Sequence, residues 1–136
     1  KPVLSARENL SFWAAMGGSR DADAAAEDAL DRLGIPHVAE IPGRYLSAGQ
    51  RRRLNLARII ATPRPLWLLD EPSVALDRGG IRLLEWEIAK HRTTGGLLVV
   101  STHAEIDIPD AQELFLDDFA PVPAGADEAA AEDEAA

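Results

Sequence analysis

Leu66-Trp67-Leu68-Leu69-Asp70-Glu71, followed some thirty residues on by Leu97-Leu98-Val99-Val100-Ser101, decides the fold. Each stretch is a short continuous apolar run, as expected of a strand buried on both faces. Between them, Asp77 is placed to cap a helix from Arg78 to about His91, and Thr94-Gly95-Gly96 turns the chain into the second run. Strand, helix, strand over this length is a right-handed parallel crossover, so the second half reads as α/β. A last short strand is expected at Glu113 to Leu116.

Working back from Leu66, the period is helical. Thr62-Pro63-Arg64-Pro65 breaks a helix expected from Ser47 to Ala61. Before it, a loop carries Pro42 and Gly43, and an Ala-rich helix from Asp21 to Leu33 stops at Gly34 with Pro36 close behind. The first helix, Ser5 to Met16, opens on a capping box in which Ser5 and Glu8 satisfy early backbone N–H groups. Phe12 and Met16 lie four apart and are expected to pack inward. Working forward, the residues beyond Pro123 hold no large apolar side chain, and a disordered acidic tail is expected there.

Composition narrows the function classes. The 136 residues are 46% apolar and 27% charged, the profile of a globular protein. There is no cysteine, which removes disulfides, thiolate metal sites and thiol catalysis. The longest aliphatic or aromatic runs, Leu66 to Leu69 and Leu97 to Val100, are far short of the about 20 apolar residues a spanning helix needs. With no secretory signal pattern either, a cytosolic polypeptide is expected. The formal charge is −9, from 14 basic and 23 acidic side chains. Eleven of those acids lie from Glu105 onward, where there is no Lys or Arg, so residues 1–104 hold twelve acids and a balance of +2. Arg51-Arg52-Arg53 would be the obvious nucleic-acid patch, but three consecutive helical residues fan through about 200° and make no single basic face. Nucleic acid is therefore not expected as a partner. His37, His91, Asp117 and Asp118 read as structural or solvated.

Three places concentrate chemistry. In a parallel sheet, ligands sit beyond the carboxyl ends of the strands. Asp70 and Glu71 stand at one such end, where one carboxylate could hold a hydrated Mg²⁺ while the next faces a reacting water. The same pair also suits a turn cap and a solvated neighbour. His103, after Val99-Val100-Ser101-Thr102, falls at the same sheet edge if the strands are neighbours. Leu46-Ser47-Ala48-Gly49-Gln50 opens a helix, where small residues and free N–H groups suit a phosphate, although Ser47 and Gln50 also satisfy a capping box.

Taken together, these motifs resemble the ATPases of ABC transporters. Leu46 to Gln50 looks like their Leu-Ser-Gly-Gly-Gln signature, here with Ala48 in third place, and Leu66 to Glu71 resembles the Walker B strand. Ser73-Val74-Ala75-Leu76-Asp77 is similar to the D-loop, and His103 resembles the switch histidine. The resemblance covers roughly residues 1–118. Arg7 to Ala15, Leu46 to Arg53 and Leu66 to Pro72 are more specifically similar to the haem-exporter ATPases of cytochrome c maturation systems, in which alanine in the signature is typical.

The resemblance implies a partial P-loop NTPase of α/β class. Residues 1–62 would be the helical subdomain with the signature motif, 63–122 the Walker B and switch-histidine half of the parallel-sheet core, and 123–136 the acidic tail. It implies ATP and Mg²⁺ as cofactors, bound between two ATP-binding subunits paired head to tail. Ser47, Ala48, Gly49 and Gln50 would then meet the γ-phosphate held by the partner, and Asp77 would communicate across the dimer. Asp70 would orient Mg²⁺ through water, Glu71 would polarise the attacking water, and His103 would hold the γ-phosphate. Integral membrane subunits would anchor the assembly at the cytoplasmic face of the cell membrane. Two departures stand out. Val74 replaces the usual small hydroxyl residue of the D-loop, and no Gly-x-x-x-x-Gly-Lys-Ser/Thr phosphate loop occurs in the 136 residues. Tight ATP binding and turnover are therefore not expected of this chain alone. Two alternatives remain, a non-catalytic protein that lends its signature motif to a partner, and a soluble ABC ATPase outside transport.

Overall fold

The computed structural model describes residues 3–119; the tail expected beyond Pro123 lies outside them. The elements in order are α1 (Ala6–Met16), α2 (Ala22–Arg32), α3 (Ala48–Ala61), β1 (Leu66–Asp70), α4 (Arg78–Thr93) and β2 (Leu97–Ser101). Single 3₁₀ turns occupy Pro36–Val38, Gly43–Tyr45 and Leu116–Phe119. The fold is α/β, three helices leading into a parallel strand-helix-strand unit.

Local chemistry explains the boundaries. Ser5 caps α1 through a capping box, its Oγ accepting the Glu8 N–H at 3.1 Å while Glu8 accepts the Ser5 N–H at 2.7 Å. Asp21 caps α2 through the Ala24 N–H at 3.0 Å. Past its other end Gly34 takes φ +67, a left-handed conformation that glycine adopts without strain. The first three helices pack through small residues. Ala14, Ala26, Ala29 and Ala57 are fully buried and let the helices approach closely, with Leu10, Leu30, Leu33, Ile35 and Val38 filling the space between them.

Packing then ties the helical layer to the sheet. Glu87 of α4 is almost fully buried and accepts the Arg32 Nε–H of α2 at 2.8 Å, with a second ion-pair contact to the Arg32 Nη2. The buried carboxylate and its hydrogen bond hold the Arg32 guanidinium above its ordinary pKa. In β1 and β2 the pairing is parallel, Leu66 opposite Leu97 through Asp70 opposite Ser101. Trp67 stacks on His91 with 4.0 Å between ring centroids, and His91 Nε2 lies 3.1 Å from the Leu97 carbonyl, a structural role for that histidine.

Three expectations are corrected. The strands are buried on one face only. Trp67 and Leu69 turn inward, whereas Leu68 is 70% and Val99 60% exposed. The two-residue period places Leu66 and Leu68 together on the face that no described element covers. No strand forms at Glu113 to Leu116. No described strand lies alongside to pair with it, and the chain instead enters the 3₁₀ turn with Leu114 and Phe115 exposed. Phe12 and Met16 do not pack inward either. The buried face of α1 is Ala6, Asn9, Leu10 and Ala14, leaving Phe12 and Met16 exposed, while Trp13 is roofed by the Arg58 guanidinium at 3.9 Å from its ring centroid. No helix among the described residues is long and apolar enough to cross a membrane.

Candidate active site

The parallel register carries the two strand ends to one edge. Beyond Asp70, the Glu71 N–H donates to the Ser101 carbonyl at 2.8 Å, extending the pairing by one residue. Glu71 then turns at φ +43, a left-handed conformation that costs a non-glycine residue about 1–3 kcal/mol. Its carboxylate points back across the edge. It accepts the His103 N–H at 3.1 Å and lies 3.5 Å from the Thr102 hydroxyl. His103 Nε2 is 3.7 Å from the same carboxylate, and the imidazole is fully exposed. Glu71 is thus oriented by the backbone that follows β2, at a half-exposed edge where a water molecule has access to it. Asp70 presents an exposed carboxylate next to it.

Among the described residues, no group of three or more His, Asp or Glu side chains forms a protein-only metal cage. A lone exposed carboxylate nevertheless suits Mg²⁺, which keeps several waters and binds through one or two carboxylates plus phosphate oxygens. Asp70 fits that donor set.

The segment Leu46 to Gln50 opens α3, the helix whose Arg52 reaches the turn after β1. Ser47 caps α3. Its Oγ accepts the Gln50 N–H at 3.2 Å, and Gln50 Oε1 accepts the Ser47 N–H at 3.0 Å. This capping box uses acceptors only, so the Ser47 hydroxyl proton and the Gln50 side-chain N–H groups remain as donors toward an anion. Ala48 and Gly49 begin the helix, and Gly49 is held against the D-loop-like turn. A Cβ there would meet the Ala75 carbonyl at 3.2 Å. The capping expected of Ser47 is present in the structure. Among the described residues no hydrogen bond joins this cap to Glu71 or His103.

Asp77 caps α4 by accepting the Gly80 N–H at 2.8 Å and pairs with Arg53 at 2.6 Å. These two partners, the Gly80 N–H first, hold its carboxyl below the usual range. A carboxyl with a lowered folded-state pKa contributes stability that is present above its unfolded value and lost as pH falls through the folded one. Asp77→Asn keeps an acceptor for the cap and loses the charge. Urea midpoints of the two proteins should therefore differ at neutral pH and converge as pH falls through the lowered folded-state pKa of Asp77.

Sequence reasoning missed the role of the three arginines that follow Gln50. They diverge by about 100° per residue along the helix. Arg51 returns to the Leu46 carbonyl at 3.2 Å, and Arg53 spans the Leu33 carbonyl and Asp77. Arg52 reaches the turn after β1, where it bonds the carbonyls of Asp70, Glu71 and Pro72. The divergence was legible from the spacing. The three targets were not, because they depend on which loops surround α3.

A family model described as ABC transporter matches residues 1–74. The chain is 56% identical over 122 residues to a "Cytochrome c biogenesis ATP-binding export protein CcmA" of Paramagnetospirillum magneticum, covering 88% of this chain and 56% of that protein. It is 54% identical to the Rhodospirillum rubrum protein of the same name, covering 98% of this chain and 57% of that one. The chain thus spans a little over half the length of these relatives. Among solved structures, an ATP-binding cassette determined as a dimer in a post-hydrolysis state with ADP and Pi superposes with a TM-score of 0.65 at 26% identity, over 76% of this chain and 48% of that one.

Proposed function

The chain belongs to the ABC transporter family, and from that premise we propose that it forms the signature-motif and Walker B portion of an ATP-hydrolysing subunit that powers haem export, or another haem-handling step, in cytochrome c maturation. In this reading residues 1–62 are the helical signature-motif subdomain, residues 63–122 the second half of the catalytic core, and residues 123–136 an acidic tail. Two such subunits pair head to tail on integral membrane subunits at the cytoplasmic face of the membrane. The names of the relatives, cytochrome c biogenesis export proteins, support the choice of pathway.

The observation that carries the proposal is the Glu71 carboxylate held at the strand edge by the His103 N–H at 3.1 Å. A carboxylate positioned by backbone and open to water is suited to accept a proton from an attacking water molecule. His103, with its imidazole free in solvent beside Glu71, is suited to follow the γ-phosphate as charge shifts. Asp70 would hold Mg²⁺, which neutralises phosphate charge when bound. Ser47, Ala48, Gly49 and Gln50 offer donors at a helix N-terminus to the γ-phosphate of ATP held by the partner. Asp77, fixed by Arg53, would transmit the state of one site to the other.

A full-length test protein is made by replacing the matched segment of the Paramagnetospirillum relative with this chain. In it, Ser47→Asp separates capping from phosphate binding. Aspartate caps as well as serine, so the thermal midpoint should stay within about 2 °C. A fixed negative charge facing phosphate should reduce ATP turnover at least about tenfold. Turnover at the native rate would remove Ser47 from the phosphate surface.

A second reading, a protein that lends its signature motif in trans to a partner's ATP, has the Ser47 cap in its favour, whose hydroxyl and Gln50 amide donors would serve that ATP whether or not Glu71 works. ATP turnover by the chain alone and after addition of a complete subunit discriminates. Stimulation that depends on Ser47 but not on Glu71 would favour this second reading.

A further inference from the structure

We propose that Arg52 is the positioning residue for the turn that carries Glu71, and that through it the signature helix sets the aim of the catalytic carboxylate. The inference rests on the role of Glu71 argued above. At φ +43, Glu71 turns the chain so that the carbonyls of Asp70, Glu71 and Pro72 converge on one guanidinium. Arg52 donates from Nη2 to Asp70 at 3.1 Å and to the Glu71 carbonyl, and from Nε to Pro72 at 3.2 Å. Three carbonyl dipoles aimed at one point repel one another unless a cation with several donors sits there. Arginine supplies them in one planar group, and lysine, with a single nitrogen, cannot span the three oxygens in the same geometry.

Besides Arg52, the strained turn is held by the burial of Pro72 and Ser73 and by the bond from the His103 N–H to the Glu71 carboxylate. Within it the Val74 N–H donates to the Glu71 carbonyl at 3.2 Å, and beyond it lies the bond from the Glu71 N–H to Ser101. Arg52 stands two residues after Gln50 on α3, so a shift of the helix start is carried directly into the backbone of Glu71. In a head-to-tail pair, the cap of a subunit faces one ATP and its Glu71 the other. Arg52 then connects the two sites within a single chain. It touches no reacting atom, and its effect is exerted on where the carboxylate points.

Two measurements test this. In the full-length test protein, Arg52→Gln should lower kcat for ATP roughly tenfold or more while KM changes by less than about twofold, because the lesion is in positioning and not in binding. Arg52→Lys should recover part of the loss. In the ¹⁵N-labelled chain itself, Arg52→Lys should shift the Glu71 and His103 amide signals and speed exchange of the His103 amide, whose acceptor is the Glu71 carboxylate. An unchanged kcat in both variants, or a loss confined to KM, would overturn the proposal. So would unperturbed Glu71 and His103 amides. Glu71→Gln is the control that keeps the two readings apart. If it leaves turnover intact, the catalytic role of Glu71 fails, and Arg52 as the clamp of this turn stands or falls on the amide signals alone.

Discussion

Glu71→Gln in the full-length test protein is expected to lower ATP turnover by about 10²–10⁴-fold, the contribution of a positioned general base, while leaving ATP binding in place. Glutamine is nearly isosteric and keeps an oxygen to accept the His103 N–H, so the turn and the strand edge should persist. What is lost is the ability to take a proton from water. The expected physical result is an ATP-bound dimer that does not dissociate, seen by size-exclusion chromatography as a shift to twice the subunit mass in the presence of ATP and Mg²⁺. Native turnover in this variant would remove Glu71 from its role.

Arg32→Met should have the largest effect on stability, a loss of about 3 kcal/mol or more. Arg32 is the ion-pair partner of Glu87, whose side chain is only 3% exposed, and methionine leaves that carboxylate buried and unpaired. The opposite change, Glu87→Gln, should cost about 1 kcal/mol, because Arg32 retains Asp28 at 3.2 Å and reaches solvent. Urea unfolding of both variants measures the difference. Equal losses would mean that the pair acts through packing and not through the burial of a charge.

Most of the elements were legible from local signals. Ser5, Ser47 and Asp77 each announce a helix start by an oxygen placed to accept an early backbone N–H, and each does so in the structure. The runs at Leu66 and Leu97 gave both strands and their parallel pairing, because an intervening helix of this length permits little else. The failures concern partners. Leu66, Leu68, Leu97 and Val99 read as doubly buried because an apolar run reports what the strand would tolerate and not what stands next to it. Glu113 to Leu116 read as a strand for the same reason. Phe12 and Met16 show that an apolar pair at helical spacing does not say which face of α1 meets the core, when Ala6, Leu10 and Ala14 offer a second apolar stripe. At the site, residue types and order pointed to Glu71, His103 and the Ser47 cap. The Arg52 clamp was not legible, because its three acceptors are backbone carbonyls, which carry no sequence signal.

The central claim is that Glu71 of one subunit and Ser47 of its partner serve the same ATP. Mixed dimers of the full-length test protein address it directly, by steady-state ATP turnover. When one subunit carries Glu71→Gln and the other Ser47→Asp, both lesions fall in one site and the second site is intact, so turnover should return above that of either variant alone. When one subunit carries both changes and the other none, each site holds one lesion and turnover should stay at the level of the variants. Recovery in the second pairing and none in the first would contradict the account, since it would place Glu71 and Ser47 of the same chain at one ATP.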